Sequence, residues 1–178
     1  DVIGHTSNNE AKIETARVVD QYLGATLAAA NKAGYTTLIT ADHGNLERMR
    51  TPEGKPDVAH TENLVACILV PPEGTATATE RVSFDPMRAD GALCDVAPTV
   101  LAALGLDQPK QMGGKALYQP EQTGKVLLII LDGWGMGEEN DTNPIYLAQT
   151  PVWDSLLKDY PVRYLRASGD AVGLENGK

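Results

Sequence analysis

The chain is short of cysteine, of positive charge and of long apolar runs. Its 178 residues hold two cysteines, Cys67 and Cys94. Each sits in an apolar stretch and reads as a reduced core residue, which argues against a disulfide-stapled secreted scaffold. No apolar run approaches the length of a membrane span. The opening Asp1-Val2-Ile3-Gly4-His5 has neither the basic start nor the apolar core of a secretory signal. Lysine and arginine number 15 against 24 aspartates and glutamates, for a formal net charge of −9. Nothing resembles a basic stripe, so nucleic acid and anionic membrane are poor partners. An acidic protein handling an anionic substrate needs a local positive centre, which a divalent cation would supply. The chain is expected to be cytoplasmic and monomeric. It has no initiator methionine and reads as a processed, trimmed or engineered piece.

What is present is ordinary in amount and informative in order. The apolar fraction is 42%, and the length suits one domain with a sizeable core, expected over 1–178. Residues 1–9 read as a loop in which Asn8 or Asn9 caps a helix. Ile13, Ala16, Val19, Leu23, Leu27 and Ala30 recur at steps of three and four, predicting an amphipathic helix over about 10–33 that ends at Gly34. Strands are expected at 36–40 and 64–70, the second stopped by Pro71-Pro72. Residues 44–62 are polar and read as a long surface loop, and 73–91 as irregular. A helix follows over 93–104, weakened or bent by Pro98 and ended by Gly105. Residues 107–124, with three glycines and two prolines, are the best linker. Val126 to Leu131 is six apolar residues in succession, the pattern of a central parallel strand buried on both faces. A helix at about 144–160, despite Pro151, and a strand at 163–167 complete the order. Alternating strands and helices imply an α/β fold with a mainly parallel sheet and helices on both faces.

Two of these strand-like runs end in a carboxylate followed by glycine. One is Thr36 to Thr40 followed by Ala41-Asp42-His43-Gly44-Asn45; the other is Val126 to Leu131 followed by Asp132-Gly133-Trp134-Gly135. Strand ends of open α/β sheets are where ligands gather. Asp42 and His43 lie on irregular backbone, where both can turn to one point, and Gly44 permits close approach. Asp1 and His5 are four apart in a loop that Gly4 lets curl. His60 precedes a strand. Taken singly, such segments are common turns or solvated loops. Asp132 differs, because a carboxylate at the mouth of a buried strand requires a partner. Together, Asp1, His5, Asp42, His43, His60 and Asp132 suit a two-ion site with nitrogen and oxygen donors. This mixture favours manganese or zinc over calcium, and magnesium fits where oxygen donors dominate. Paired ions clamp a phosphoryl group and activate a nucleophile.

These same segments resemble the cofactor-independent phosphoglycerate mutases of the alkaline phosphatase superfamily. The likeness extends to Asp95-Val96-Ala97-Pro98-Thr99-Val100-Leu101, Thr150-Pro151-Val152-Trp153-Asp154 and Ala167-Ser168-Gly169-Asp170-Ala171-Val172-Gly173-Leu174. It implies two manganese ions, one held by Asp1, His5 and His60, the other by Asp42, His43, Asp132 and a serine. That serine is the nucleophile, passing a phosphoryl group between neighbouring hydroxyls of phosphoglycerate.

Two departures accompany the resemblance. The segments are in permuted order: 1–119 resembles the family's C-terminal part, 125–178 its N-terminal part, and 120–124 is the seam. The nucleophile segment Met-Gly-Asn-Ser-Glu does not occur, so no catalytic residue is assigned; Ser168 stands nearest to its place. The phosphotransferase lobe is lacking too, and with it the family's substrate-binding arginines and lysines, so no substrate-binding residue is assigned. A phosphoglycerate-type substrate is expected only if that lobe is supplied. The expected function is a metal-binding mutase domain, weakly active or inactive alone. The alternatives are a residual metal phosphatase using bound water and a non-catalytic permuted scaffold.

Overall fold

The computed structural model describes residues 2–75, 84–85, 87–119 and 124–175. Asp1, the core of the irregular segment at 76–83 and the seam residues 120–123 lie outside the described residues.

Helix α1 (Asn9–Lys32) starts where the Asn8 side chain accepts a hydrogen bond from the Ala11 N–H. It buries Ala16, Leu23 and Ala30 along the expected stripe. Two polar residues share its buried set. Asp20 accepts from the N–H groups of Val152 and Trp153, which caps a later helix from outside. Lys12 donates to the Asp57 carbonyl.

Five strands form one sheet: β1 (Thr36–Thr40), β2 (Val65–Val70), β3 (Gly91–Ala92), β4 (Val126–Ile130) and β5 (Val162–Arg166), in the order β3-β5-β2-β1-β4. β1 pairs parallel with β4 and β3 with β5, while β2 runs antiparallel to both β1 and β5. Four strands therefore point one way and β2 alone runs against them. Every residue of β1 and β2 is buried, so both faces of the sheet centre are covered.

The expectation for Val126 to Leu131 needs correcting. β4 is an edge strand, with Leu128 38% and Ile130 55% exposed. An uninterrupted apolar run records burial only when a neighbour stands on each side, and β4 has one neighbour among the described residues.

Proline accounts for two further differences. The helix expected over 144–160 is two helices, α3 (Pro144–Leu147) and α4 (Pro151–Asp159), and each begins at a proline. A proline lacks the N–H that an interior position needs but costs nothing in the first turn. Gln149, at φ 53°, turns the chain between them. Pro98 likewise falls in the first turn of α2 (Val96–Leu104), which follows a 3₁₀ turn over Leu93–Asp95 and stops at left-handed Gly105.

The segment 44–62 is not a surface loop throughout. Asn45, Leu46, Glu47, Met49, Asp57 and Thr61 are all buried. Of the cysteines, Cys67 is a core residue whose thiol pKa burial pushes up to about 12. Cys94 is exposed at the 3₁₀ turn, contrary to expectation.

Candidate metal centre

The register of β1 against β4 builds the site. Thr36 pairs with Val126 and Thr40 with Ile130, so Asp42 and Asp132, each two residues beyond its strand, leave the sheet at the same level. The parallel pairing continues past the strands, since the Leu131 N–H donates to the Thr40 carbonyl at 2.8 Å. Gly133 then turns with φ +75°, and a Cβ there would lie 3.7 Å from His43 Cε1. The turn after β4 thus wraps the residues that follow β1.

Within this mouth, Asp42, His43 and Asp132 place one ligand atom each within 4.8 Å of one another. His43 Nε2 lies 3.5 Å from Asp42 Oδ2 and 3.5 Å from Asp132 Oδ1. Those separations are long for hydrogen bonds. They match the spacing of about 3.4 Å between donors around a tetrahedral ion with bonds of about 2.1 Å.

The donors are also oriented. Asp42 Oδ1 accepts from the N–H groups of His43 and Gly133, leaving Oδ2 directed at His43. His43 Nδ1 meets the Gly44 carbonyl at 3.2 Å, and His5 Nδ1 meets the Val58 carbonyl at 2.6 Å. A carbonyl only accepts, so Nδ1 carries the proton in both rings and Nε2 keeps its lone pair when the ring is neutral. A histidine pinned by one nitrogen to a carbonyl is the usual support of a metal ligand. The residues present therefore fit a divalent cation.

The remaining histidine joins the two rings. His60 stacks on His43 with centroids 3.6 Å apart, and His5 lies 5.1 Å from His60. Partial burial, then the neighbouring His43 and His5, hold the His60 pKa below its ordinary value, opposed by Asp42 and Asp132. His5, Asp42, His43 and His60 line a cavity of about 660 Å³ together with Ser168 and Leu174. Of the six residues singled out from the sequence, five meet here, and Asp1 lies outside the described residues. Trp134 does not cover the site. It is buried in the core, edge-on to Trp153.

Sequence reasoning missed Glu47. It is 2% exposed and accepts from the Asn45 and Gly135 N–H groups, the Asn63 side-chain amide and the Thr61 hydroxyl. No periodic signal marks it, because its partners come from segments far apart in sequence.

The sequence profile of the metalloenzyme superfamily matches residues 1–108 and 124–178. The chain belongs to the metalloenzyme superfamily. Among curated relatives of this superfamily member, a 2,3-bisphosphoglycerate-independent phosphoglycerate mutase from a Synechococcus species is 50% identical over 123 residues, covering 68% of this chain and 23% of the relative. Enzymes of the same name from Gloeothece citriformis and Synechococcus elongatus are 48% and 46% identical over 67% of the chain and 22% of their own length. The chain thus spans less than a quarter of the relatives it matches. No solved structure matches it significantly. Among the described residues, no helix is long and apolar enough to cross a membrane.

Proposed function

We propose that this chain is the dinuclear metal-binding, phosphatase-like part of a phosphoglycerate mutase that interconverts 3-phosphoglycerate and 2-phosphoglycerate, folded as one domain in permuted order. The observation that carries the reading is the meeting of Asp42, His43 and Asp132, from the ends of two parallel strands, beside His5 and His60. The relatives' names support the reaction, and the superfamily match supports the metal. The permutation is supported by the order of the resembling segments in the sequence, Asp42-His43-Gly44 ahead of Leu131-Asp132-Gly133, on either side of the 107–124 linker; the superfamily profile matches on both sides of that linker.

In this reading Asp42, His43 and Asp132 hold one ion. His5 and His60 belong to the second, with Asp1 as the carboxylate that the family resemblance adds. Manganese suits this mixed imidazole and carboxylate set. Bound divalent ions would lower the pKa of an attacking oxygen and offset charge developing on a phosphoryl group. The chain's own residues prepare that chemistry. His5 and His43 are locked in one tautomer by the Val58 and Gly44 carbonyls. Asp42 is held by two backbone N–H groups so that only one oxygen faces the site. No serine in these 178 residues lies in a Met-Gly-Asn-Ser-Glu segment, so turnover of phosphoglycerate by this chain alone is expected to be weak or nil.

Calorimetric titration of metal-stripped protein with manganese tests the reading. Uptake is expected, together with a rise in thermal midpoint equivalent to about 4 kcal/mol when free metal is about 1,000 times the dissociation constant. No uptake and an unmoved midpoint would overturn it in favour of a non-catalytic scaffold. Manganese-dependent hydrolysis of p-nitrophenyl phosphate, lost in Asp42→Ala, would instead mark a residual phosphatase.

A further inference from the structure

Glu47 is not itself one of the proposed ligands, yet it touches three of the segments that carry them, those of His43, His60 and Asp132. Its Oε2 accepts from the Asn45 N–H at 2.8 Å and the Gly135 N–H at 3.1 Å. Its Oε1 accepts from the Asn63 side-chain amide at 2.8 Å and from the Thr61 hydroxyl. Asn45 lies two residues from His43, Thr61 is next to His60, and Gly135 is three residues from Asp132. Four donors fill the acceptor positions of one carboxylate, and all come from outside regular structure. Two glycines make room for it. A Cβ at Gly135 would lie 2.6 Å from the Glu47 carboxylate, and a Cβ at Gly44 would strike both that carboxylate and the Thr61 hydroxyl. Gly44 and Gly135 are therefore spaces shaped around Glu47.

The adjoining segment is tied down in the same manner. Three successive carbonyls each take a side chain from a different place: Asp57 from Lys12, Val58 from His5 and Ala59 from Asn45. His60 is the next residue. Lys12 is fully buried, and that burial holds its pKa below the ordinary value, opposed by the nearby Asp57 and Glu47 carboxylates.

We infer that Glu47 is the positioning residue of the centre, fixing the segments of His43, His60 and Asp132 relative to one another before any ion arrives. Its consequence for affinity rests on the metal reading proposed above; its consequence for the apo site does not. Glu47→Gln keeps the shape but sets an amide N–H₂ against two of the four donors.

Two measurements are made on the full chain. In metal-free protein, NMR resonances of the His43 and His60 rings report their 3.6 Å stack. They should move toward free-histidine positions in Glu47→Gln and stay put in Leu156→Ala, a buried change in α4, a helix that contributes no residue to the lining of the site cavity. In manganese titrations, Glu47→Gln should lose roughly 10–100-fold in affinity, as supporting residues of metal ligands do, while Leu156→Ala stays within about threefold of wild type. Unmoved histidine resonances in Glu47→Gln, or equal changes in Leu156→Ala, would overturn the inference. If wild type takes up no metal, the metal reading falls and the histidine resonances still decide the role of Glu47. Should Glu47→Gln fail to fold, Thr61→Val removes a single donor; displaced His60 resonances support the inference and wild-type resonances overturn it.

Discussion

β1 and β4 lie side by side, run parallel and deliver carboxylates at matching positions, yet their surroundings are opposite. β1, with threonine at three of five positions, is buried throughout; β4, entirely aliphatic, leaves Leu128 and Ile130 exposed. Hydrophobicity did not decide which strand is central. Position in the sheet did, and that position depends on which strands pair on either side. The difference ends at the strand tips. Beyond Thr40 and Ile130 both chains enter one hydrogen-bonded mouth, where Asp42 grips Gly133 and Glu47 grips Gly135. The two strands differ as structure and converge as suppliers of the site.

Removing the two carboxylates one at a time gives the largest effect and tests the convergence. Asp42→Ala and Asp132→Ala should each weaken manganese binding about 100-fold or more by calorimetry, since loss of a ligand exceeds loss of its support. A loss confined to one of them would break the equivalence. Asp42→Ala should also cost about 2 kcal/mol of stability in urea, because the His43 and Gly133 N–H groups lose their acceptor.

The strands themselves are contrasted by Leu38→Ala and Leu128→Ala. Leu38 is wholly buried, and its truncation should cost about 3 kcal/mol or more in urea unfolding. Leu128, at 38% exposed, should cost about 1 kcal/mol. Equal losses would show that β4 is covered as β1 is.

The smallest effect concerns the shared mouth. His60 resists protonation in the folded chain, chiefly through burial and then through His43 and His5. As pH falls through the unfolded value of about 6.5, the unfolded chain takes up the proton first. Metal-free stability is therefore whole above that pH and declines below it, until the lower native pKa is passed. His60 is only partly covered, so the decline is modest. Urea midpoints at pH 7.5 and pH 5 should differ less in His60→Ala than in wild type, and an unchanged difference would remove His60 as a cause.

Much of this was legible before folding was considered. Local signals were enough for α1, where the cap at Asn8 and the apolar stripe agree, and for β1, β2 and β5 to within a residue or so. They also pointed to the carboxylates and imidazoles, which read singly as ordinary loops and only together as a metal-binding set. Misreadings arose where the deciding interaction is distant. Pro151 by itself permits either a bent helix or a new helix start, and the Asp20 carboxylate, which accepts from the Val152 and Trp153 N–H groups, supports the start from α1. The segment 44–62 was read as surface because its burial depends on turns contributed by the far end of the chain.

By itself the sequence determined an α/β alternation, the chemistry of the donors and the two turns that present Asp42 and Asp132, since each is a property of a few neighbouring residues. Tertiary structure alone decided that β4 stands at an edge, that β2 runs against its neighbours, and that a buried glutamate gathers four donors from separate segments. Those outcomes depend mainly on contacts between residues more than ten positions apart, and a linear pattern carries no record of which distant partner closes each contact.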